Sequence, residues 1–454
     1  MQTAETGSDP HATSAPGPAP GARIRLLRSR SRSGRGDRTG FPFALAICLL
    51  LVVATVSWRQ KVFFDGGLDP VVVGKALLTC LALLLCLHAG LTCGKPNPIG
   101  SRTAILLLLF VTVSTFGGWA GGSGTASVIL AVRVLLVGAA VLLLIRSFPV
   151  DVVLRAQFTA MAAVGLLAVI TGVLRLSSTA GRLQGGFPPL AANEIALLCG
   201  APALALIWRQ LSHRGRGWDL PLIAVLVGAV WASQSRTGLA ALLVAALLMV
   251  LQARRMAPIA VAAVVGAAAA AAYLLLTTDL VSAYFGRSNQ GSVATLNSRT
   301  IAWSAALDLP QNPVAALMGG GLALKQIPVQ GQYWNVQGLD SSWVSAWVQC
   351  GAIGLALLAI WAGSALIAGW RTPRPYRMIV TGMLLFLIVR SVTESGLIDA
   401  TPSFLLFMTM SVLAEAGSRP TLVVAAGRWT VPEPEPPPGR HRDLPRTQRQ
   451  LLRR

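Results

Sequence analysis

The chain has 454 residues, 54% of them hydrophobic and 12% charged, a balance that excludes a water-soluble globule. Its formal net charge of +21 is gathered in two polar tails and in alternate loops, which points to membrane orientation and argues against nucleic-acid binding. The six cysteines lie within apolar runs or at their ends, without zinc-ligand or redox spacing, and read as packing residues.

Residues 1–40 form a basic arm carrying Arg23, Arg25, Arg28, Arg30, Arg32, Arg35 and Arg38, and are expected to be disordered and cytoplasmic. The apolar run behind it is long, begins forty residues in and lacks a cleavage site, so it reads as a retained first span rather than a signal peptide. Apolar runs of about 20 residues span a bilayer. They recur at 41–58, 70–91, 103–120, 126–145, 156–176, 190–208, 219–233, 237–253, 256–277, 343–369, 377–394 and 402–416. Backbone groups in lipid must be satisfied within each segment, so these are helices. The expected fold is an all-α polytopic bundle of about twelve transmembrane helices over 41–416, with the seventh and twelfth the shortest. A second basic tail, 417–454, is rich in Pro and Arg and is expected to be disordered.

Arg146/Arg155, Arg209/Arg214/Arg216, Arg254/Arg255 and Arg371/Arg374/Arg377 fall in alternate loops. With twelve spans these loops share a side with both tails, so the positive-inside rule puts both termini in the cytoplasm of a multi-pass cytoplasmic-membrane protein. The outer connections are then short except for 278–342, a large extracytoplasmic loop. In it, Asn297 or Ser298 is expected to cap a short helix with Ile301, Trp303, Ala306 and Leu307 on its apolar side. Pro310 and Pro313 end that helix, and Gly319, Gly320 and Gly321 allow a tight reversal.

Cations on the outer side run against the orientation rule and ask for an anion. Arg236, in Ser235-Arg236-Thr237-Gly238, opens the eighth span, where a Ser235 or Thr237 cap would aim backbone N–H groups at the same place as the guanidinium. Ser101-Arg102-Thr103 repeats the tripeptide on the cytoplasmic side, so location carries the signal. Arg299 falls in the first turn of the loop helix, and Arg182 precedes the sixth span. Glu194, just inside that span, needs a partner, for which Arg182, Arg236 and Arg390 are candidates. Contact with lipid headgroups is the bland alternative for Arg236 and Arg299, and a structural ion pair with Glu194 is that for Arg182.

His11, His88, His213 and His441 all fall in or near the cytoplasmic side, so a base on the outer face must be a carboxylate. The candidates are Asp65, Asp69, Glu194, Asp279, Asp308, Asp340, Glu394 and Asp399. Asp340 opens Asp340-Ser341-Ser342-Trp343 before the tenth span, where it serves either as N-cap or as general base. Lys75 and Arg133, within spans, must face the bundle interior or an aqueous cavity.

Four segments in order resemble the O-antigen ligase and polymerase family of bacterial envelope proteins, over roughly 180–400. They are Arg182-Leu183-Gln184-Gly185-Gly186-Phe187 with Asn193, then Ser235-Arg236-Thr237-Gly238, then Ser298-Arg299 with Trp303 and Gly319-Gly320-Gly321. Asp340-Ser341 followed by Gly351-Ala352-Ile353-Gly354 is the fourth. At the position where the family's ligases carry histidine, this chain has Asp340. The resemblance implies a metal-independent, cofactor-free glycosyltransferase. It would move glycan from an undecaprenyl-diphosphate carrier to a glycan or lipid hydroxyl acceptor outside the cytoplasmic membrane, in surface polysaccharide assembly. On that reading Arg236 and Arg299 hold the diphosphate, Arg182 adds positive potential, and Asp340, with Glu394 as the fallback, orients or deprotonates the acceptor. A transporter or flippase of lipid-linked oligosaccharide is the alternative, with Lys75 and Arg133 as coupling charges. A membrane scaffold with recruiting tails leaves the outer arginines unexplained.

Overall fold

The computed structural model describes residues 33–59, 69–92, 97, 99–174, 183–253, 301–309, 313–329, 336–374 and 376–417, with 33–39 in backbone only. Eleven longer helices hold most of these residues: α1 Ser33–Thr55, α2 Pro70–Thr92, α3 Arg102–Ala120, α4 Gly124–Ser147, α5 Val150–Val173, α6 Ala192–Leu211, α7 Asp219–Ala232, α8 Arg236–Gln252, α10 Ser342–Arg371, α11 Tyr376–Ser391 and α12 Pro402–Gly417. The short α9, Pro313–Met318, and the strands β1 Gln326–Pro328 and β2 Val336–Gly338 lie between α8 and α10. Among the described residues six helices are long and apolar enough to cross a membrane (α2 to α6 and α10), and shorter apolar helices accompany them. The chain is a multi-pass membrane protein. The ninth expected span, 256–277, lies outside the described residues, as do most of both tails.

The ends of the helices agree with the runs of hydropathy to within a few residues. α1 and α5 are exceptions: α1 starts at Ser33 inside the basic arm and carries Pro42 within its length, and α5 starts at Val150, ahead of the apolar run expected from 156. Helix starts are satisfied by distinct devices. Asp69 accepts from Val71 N at 2.8 Å below α2, and Glu194 reaches back to Ala191 N at 3.2 Å below α6. Ser235 caps α8, accepting from Gly238 N at 3.2 Å, and Ser341 caps α10, accepting from Val344 N at 3.5 Å. The start of α3 borrows its cap from across the bundle: Glu415 accepts from Arg102 N at 2.8 Å and from Thr103 N and Oγ1 at 2.9 Å.

α12 sits at the centre, buried at every residue from Pro402 to Gly417, and touches α10, α4 and α11. α1 packs on α5 and α2, α3 on α4 and α10, and α8 on α11. On the perimeter Leu77, Leu84, Ile170, Leu243 and Ile360 are more than half exposed, a band whose natural solvent is lipid. Lys75 and Arg133 face inward as their cost in lipid demands. Lys75 lies 5.9 Å from the Trp58 ring centre, and Arg133 donates to the Ala54 and Ala400 carbonyls at 3.0 and 3.2 Å.

The described parts of the segment between α8 and α10 make, with Val348 of α10, a second, smaller core of Ala302, Ala306, Ile327, Val329, Leu339 and Val348. Residues 301–308 are helical, but their buried seam is Ala302 and Ala306, while Leu307 faces out. Small residues at that spacing let the helix lie close on α10, where Trp347 Nε1 donates to the Ala306 carbonyl at 3.1 Å. The caps expected at Asn297 or Ser298 lie outside the described residues, as does Pro310. Pro313 begins a helix here instead of closing one, a first-turn position that costs a proline nothing.

The reversal after α9 is the expected glycine corner: Gly319 and Gly321 have φ of +71° and +89°. It presses on a break in α10 at Gly351, φ +63°, where a Cβ would lie 2.3 Å from the carbonyl carbon of Leu317. Gly320 N and Gly321 N donate to the Val348 and Gln349 carbonyls at 2.9 and 2.8 Å, satisfying groups that the break frees.

Candidate functional site

Arg236 is the first residue of α8, partly buried, behind the Ser235 cap. Ser235, and not Thr237, therefore sets the direction of the α8 N-terminus and its positive dipole end. Thr237 instead shares a hydrogen bond with Thr393, at 2.8 Å between the hydroxyl oxygens. That bond fixes the arginine-bearing helix start beside the turn that carries Glu394.

Glu394 follows α11. Asn193 Nδ2 donates a short hydrogen bond to its Oε1, and its backbone carbonyl accepts from Ser342 N at 3.2 Å and Ser342 Oγ at 2.8 Å. Ser342 opens α10, two residues after Asp340, so the same bonds bring the exposed Asp340 segment against the Glu394 turn. Arg390, 4% exposed, donates to the Asn193 carbonyl and to Ser403 Oγ at 3.1 Å, and its Nε has no hydrogen-bond partner among the described residues. Asn193 thus couples a carboxylate and a guanidinium, one through its side chain and one through its backbone.

Several sequence expectations change at this end of the bundle. Glu194 is held by Ser57 Oγ at 2.7 Å, Ser57 N at 3.2 Å and Ala191 N, and Arg390 turns to the carbonyl of Asn193 instead of pairing with it. Asn193 and Glu194 are adjacent, but the helical turn points their side chains apart. Asp340 is not the cap of α10, since Ser341 takes that role. Asp69 is committed to Arg59 at 3.5 Å and to its helix cap, and Asp399 is ion-paired with Lys325. Lys325, Asn193 and Ser342 are the participants that sequence reading gave no role, because their partners lie 74, 201 and 52 positions away. Asp65, Asp279, Arg182 and Arg299 lie outside the described residues. Leu183, beside Arg182 in the chain, donates from N to the Ala232 carbonyl at 3.1 Å, at the turn leading to Arg236.

Of the five candidate site residues, Arg236, Asp340 and Glu394 are thereby joined through Thr237–Thr393 and Ser342–Glu394. A narrow cleft at Glu394, without room for a water molecule, is lined by Ser342, Arg390, Glu394, Ser395 and Ser403. Among the described residues there is no cluster of three metal-ligating side chains.

Residues 221–359 match the sequence profile of the O-antigen ligase family. The chain carries an O-antigen ligase-related region. Curated proteins give no match. The O-antigen ligase-related region runs from α7 to the middle of α10, so it holds Arg236, Asp340, the glycine corner and the Gly351 break. Asn193, on α6, and Arg390 and Glu394, on α11 and the turn after it, lie on either side of it. The candidate site is therefore drawn from the matched region and from parts of the bundle beyond it.

Proposed function

We propose that this protein is a glycan transferase or polymerase of surface polysaccharide assembly, using a polyprenyl-diphosphate-linked donor on the outer side of the cytoplasmic membrane. The observation that carries the reading is the Thr237–Thr393 hydrogen bond, which holds a helix-start arginine beside a carboxylate at one end of a membrane bundle. An arginine and backbone N–H groups at a helix start match a diphosphate, and a neighbouring carboxylate matches an acceptor hydroxyl.

In this reading the acceptor oxygen attacks the anomeric carbon of the donor and forms the new glycosidic bond. The bond from that carbon to the diphosphate oxygen breaks, and the diphosphate leaves with the electron pair. Arg236, with Arg299 and Arg182 as further cations, neutralises that developing charge. The hydroxyl proton goes to Asp340, or to Glu394 as the alternative base. A carrier lipid enters sideways between helices, which accounts for a site at the bundle's end. The basic loops at the far end support an orientation with both termini in the cytoplasm. Lys75 and Arg133, the coupling charges a transporter would need, are occupied by an aromatic ring and by two backbone carbonyls, which favours the transferase.

The deciding experiment is the lipid-linked glycan that accumulates in a strain lacking the gene. Single repeat units mark a polymerase, and long unligated chains mark a ligase. Unchanged lipid-linked pools and unchanged surface polysaccharide would overturn the proposal.

A further inference from the structure

A second cleft, with a volume of about 360 Å³, lies between α5, α6 and α7. Asn193 is in the first turn of α6 and Arg209 in its last, so the two clefts are separated by a helix of 20 residues, about 30 Å. The floor of the second cleft is apolar, with Leu154, Phe158, Leu206, Trp208 and Leu226 all buried. Among the described residues its rim carries Arg155, Arg209, Arg214 and Arg216 against Asp151 and Asp219.

The carboxylates are already committed. Asp219 is 5% exposed and takes Arg209 at 3.4 Å and Arg216 N at 2.9 Å. Asp151 takes Tyr376 Oη at 2.7 Å and lies 4.0 Å from Arg214. The guanidinium groups of Arg155 and Arg216 have no carboxylate partner among the described residues, and that of Arg155 lies 5.9 Å from the Phe41 ring centre. Two positive charges without a carboxylate partner among the described residues therefore stand on the rim of an apolar floor. A soluble anion would use the charges and leave the floor wet, and a neutral lipid would use the floor and leave the charges uncompensated. A molecule with a phosphodiester and an acyl chain satisfies both.

We propose that this cleft is a binding site for an anionic phospholipid, with its phosphodiester between Arg155 and Arg216 and an acyl chain along Leu154, Phe158 and Leu206. The site is independent of the transferase reading.

The test uses the full chain purified in a non-ionic detergent, offered phosphatidylglycerol, phosphatidylcholine or inorganic phosphate, with bound lipid counted by native mass spectrometry. Phosphatidylglycerol is expected to be retained about tenfold over phosphatidylcholine, and inorganic phosphate at the same concentration should not displace it. Arg155→Ala with Arg216→Ala should lower retention about tenfold. Arg371→Ala with Arg374→Ala, which removes equal charge from exposed positions outside the cleft, should leave it unchanged. Equal loss in both pairs, no loss in the cleft pair, or displacement by inorganic phosphate overturns the proposal. Should the cleft pair fail to fold, Thr159→Trp fills the cleft from an exposed lining position without touching a charge. Undiminished retention in that variant overturns it equally.

Discussion

Thr393 Oγ1 donates a hydrogen bond to Thr237 Oγ1 at 2.8 Å, tying the α8 start to the Glu394 turn. It is formed between side chains 156 positions apart, one on α8 and one in the turn after α11, and those two helices pack together. Replacing Thr237 by Val keeps the shape and removes the bond. Its loss should cost about 1 kcal/mol of stability and lower transfer more than protein level. Immunoblots of membranes and the yield of polymer, measured together, separate the two effects.

Arg236→Lys retains the charge but not the planar fork that matches two phosphate oxygens. Transfer should fall by about 10²-fold, the scale of losing one donor to a developing oxyanion, with membrane insertion unchanged. Polymer yield equal to wild type would remove Arg236 from the site.

Asp340→Asn is expected to reduce turnover by about 10²-fold or more, with little change in donor binding, if Asp340 accepts the proton. Glu394→Gln is the paired measurement, and the amide can still accept from Asn193. A normal rate in the first variant and a large loss in the second would move the base to Glu394.

Membrane class, helix order and most helix boundaries could be read from the sequence because each depends on a run of neighbouring residues. The position of Arg236 at a helix start is legible in the same way, since an arginine at a span boundary between Ser235 and Thr237 is a local oddity. The pairing of Glu194 was not. Whether its carboxylate faces Ser57 or Arg390 depends on the rotation of α6 against α1 and α11, and no local pattern encodes that rotation. The same holds for Ser342, which looks like one more helix-start serine until its hydroxyl is seen on the Glu394 carbonyl. Leu307 misled through its size: the seam follows the small Ala302 and Ala306, because close approach to α10 rewards lack of bulk.

Arg390 holds the Asn193 carbonyl and Ser403 in a fully enclosed setting. Arg390→Met approximates its volume but strands both acceptors and takes a cation away from Glu394. A loss of about 2 to 4 kcal/mol follows, read as a lower melting temperature in detergent. Full stability in this variant would show that the guanidinium's desolvation offsets its bonds.

Gly351→Ala should be among the most damaging single substitutions. It forces a side chain onto a φ of +63° and drives a Cβ to 2.3 Å from the Leu317 carbonyl carbon. The strain exceeds about 1 kcal/mol from φ alone, before the clash is counted. Expression level and melting temperature would both drop; a variant that behaves like wild type would contradict the break in α10.

The glycine corner meets the bundle main chain to main chain. A Cβ on Gly117 would stand 2.2 Å from the Met318 carbonyl oxygen, and one on Gly321 would stand 2.5 Å from Gly118 Cα. The segment after α9 is consequently not a portable module. A chimaera that swaps it between homologous chains will assemble only when the matching pair in α3 and the break in α10 travel with it.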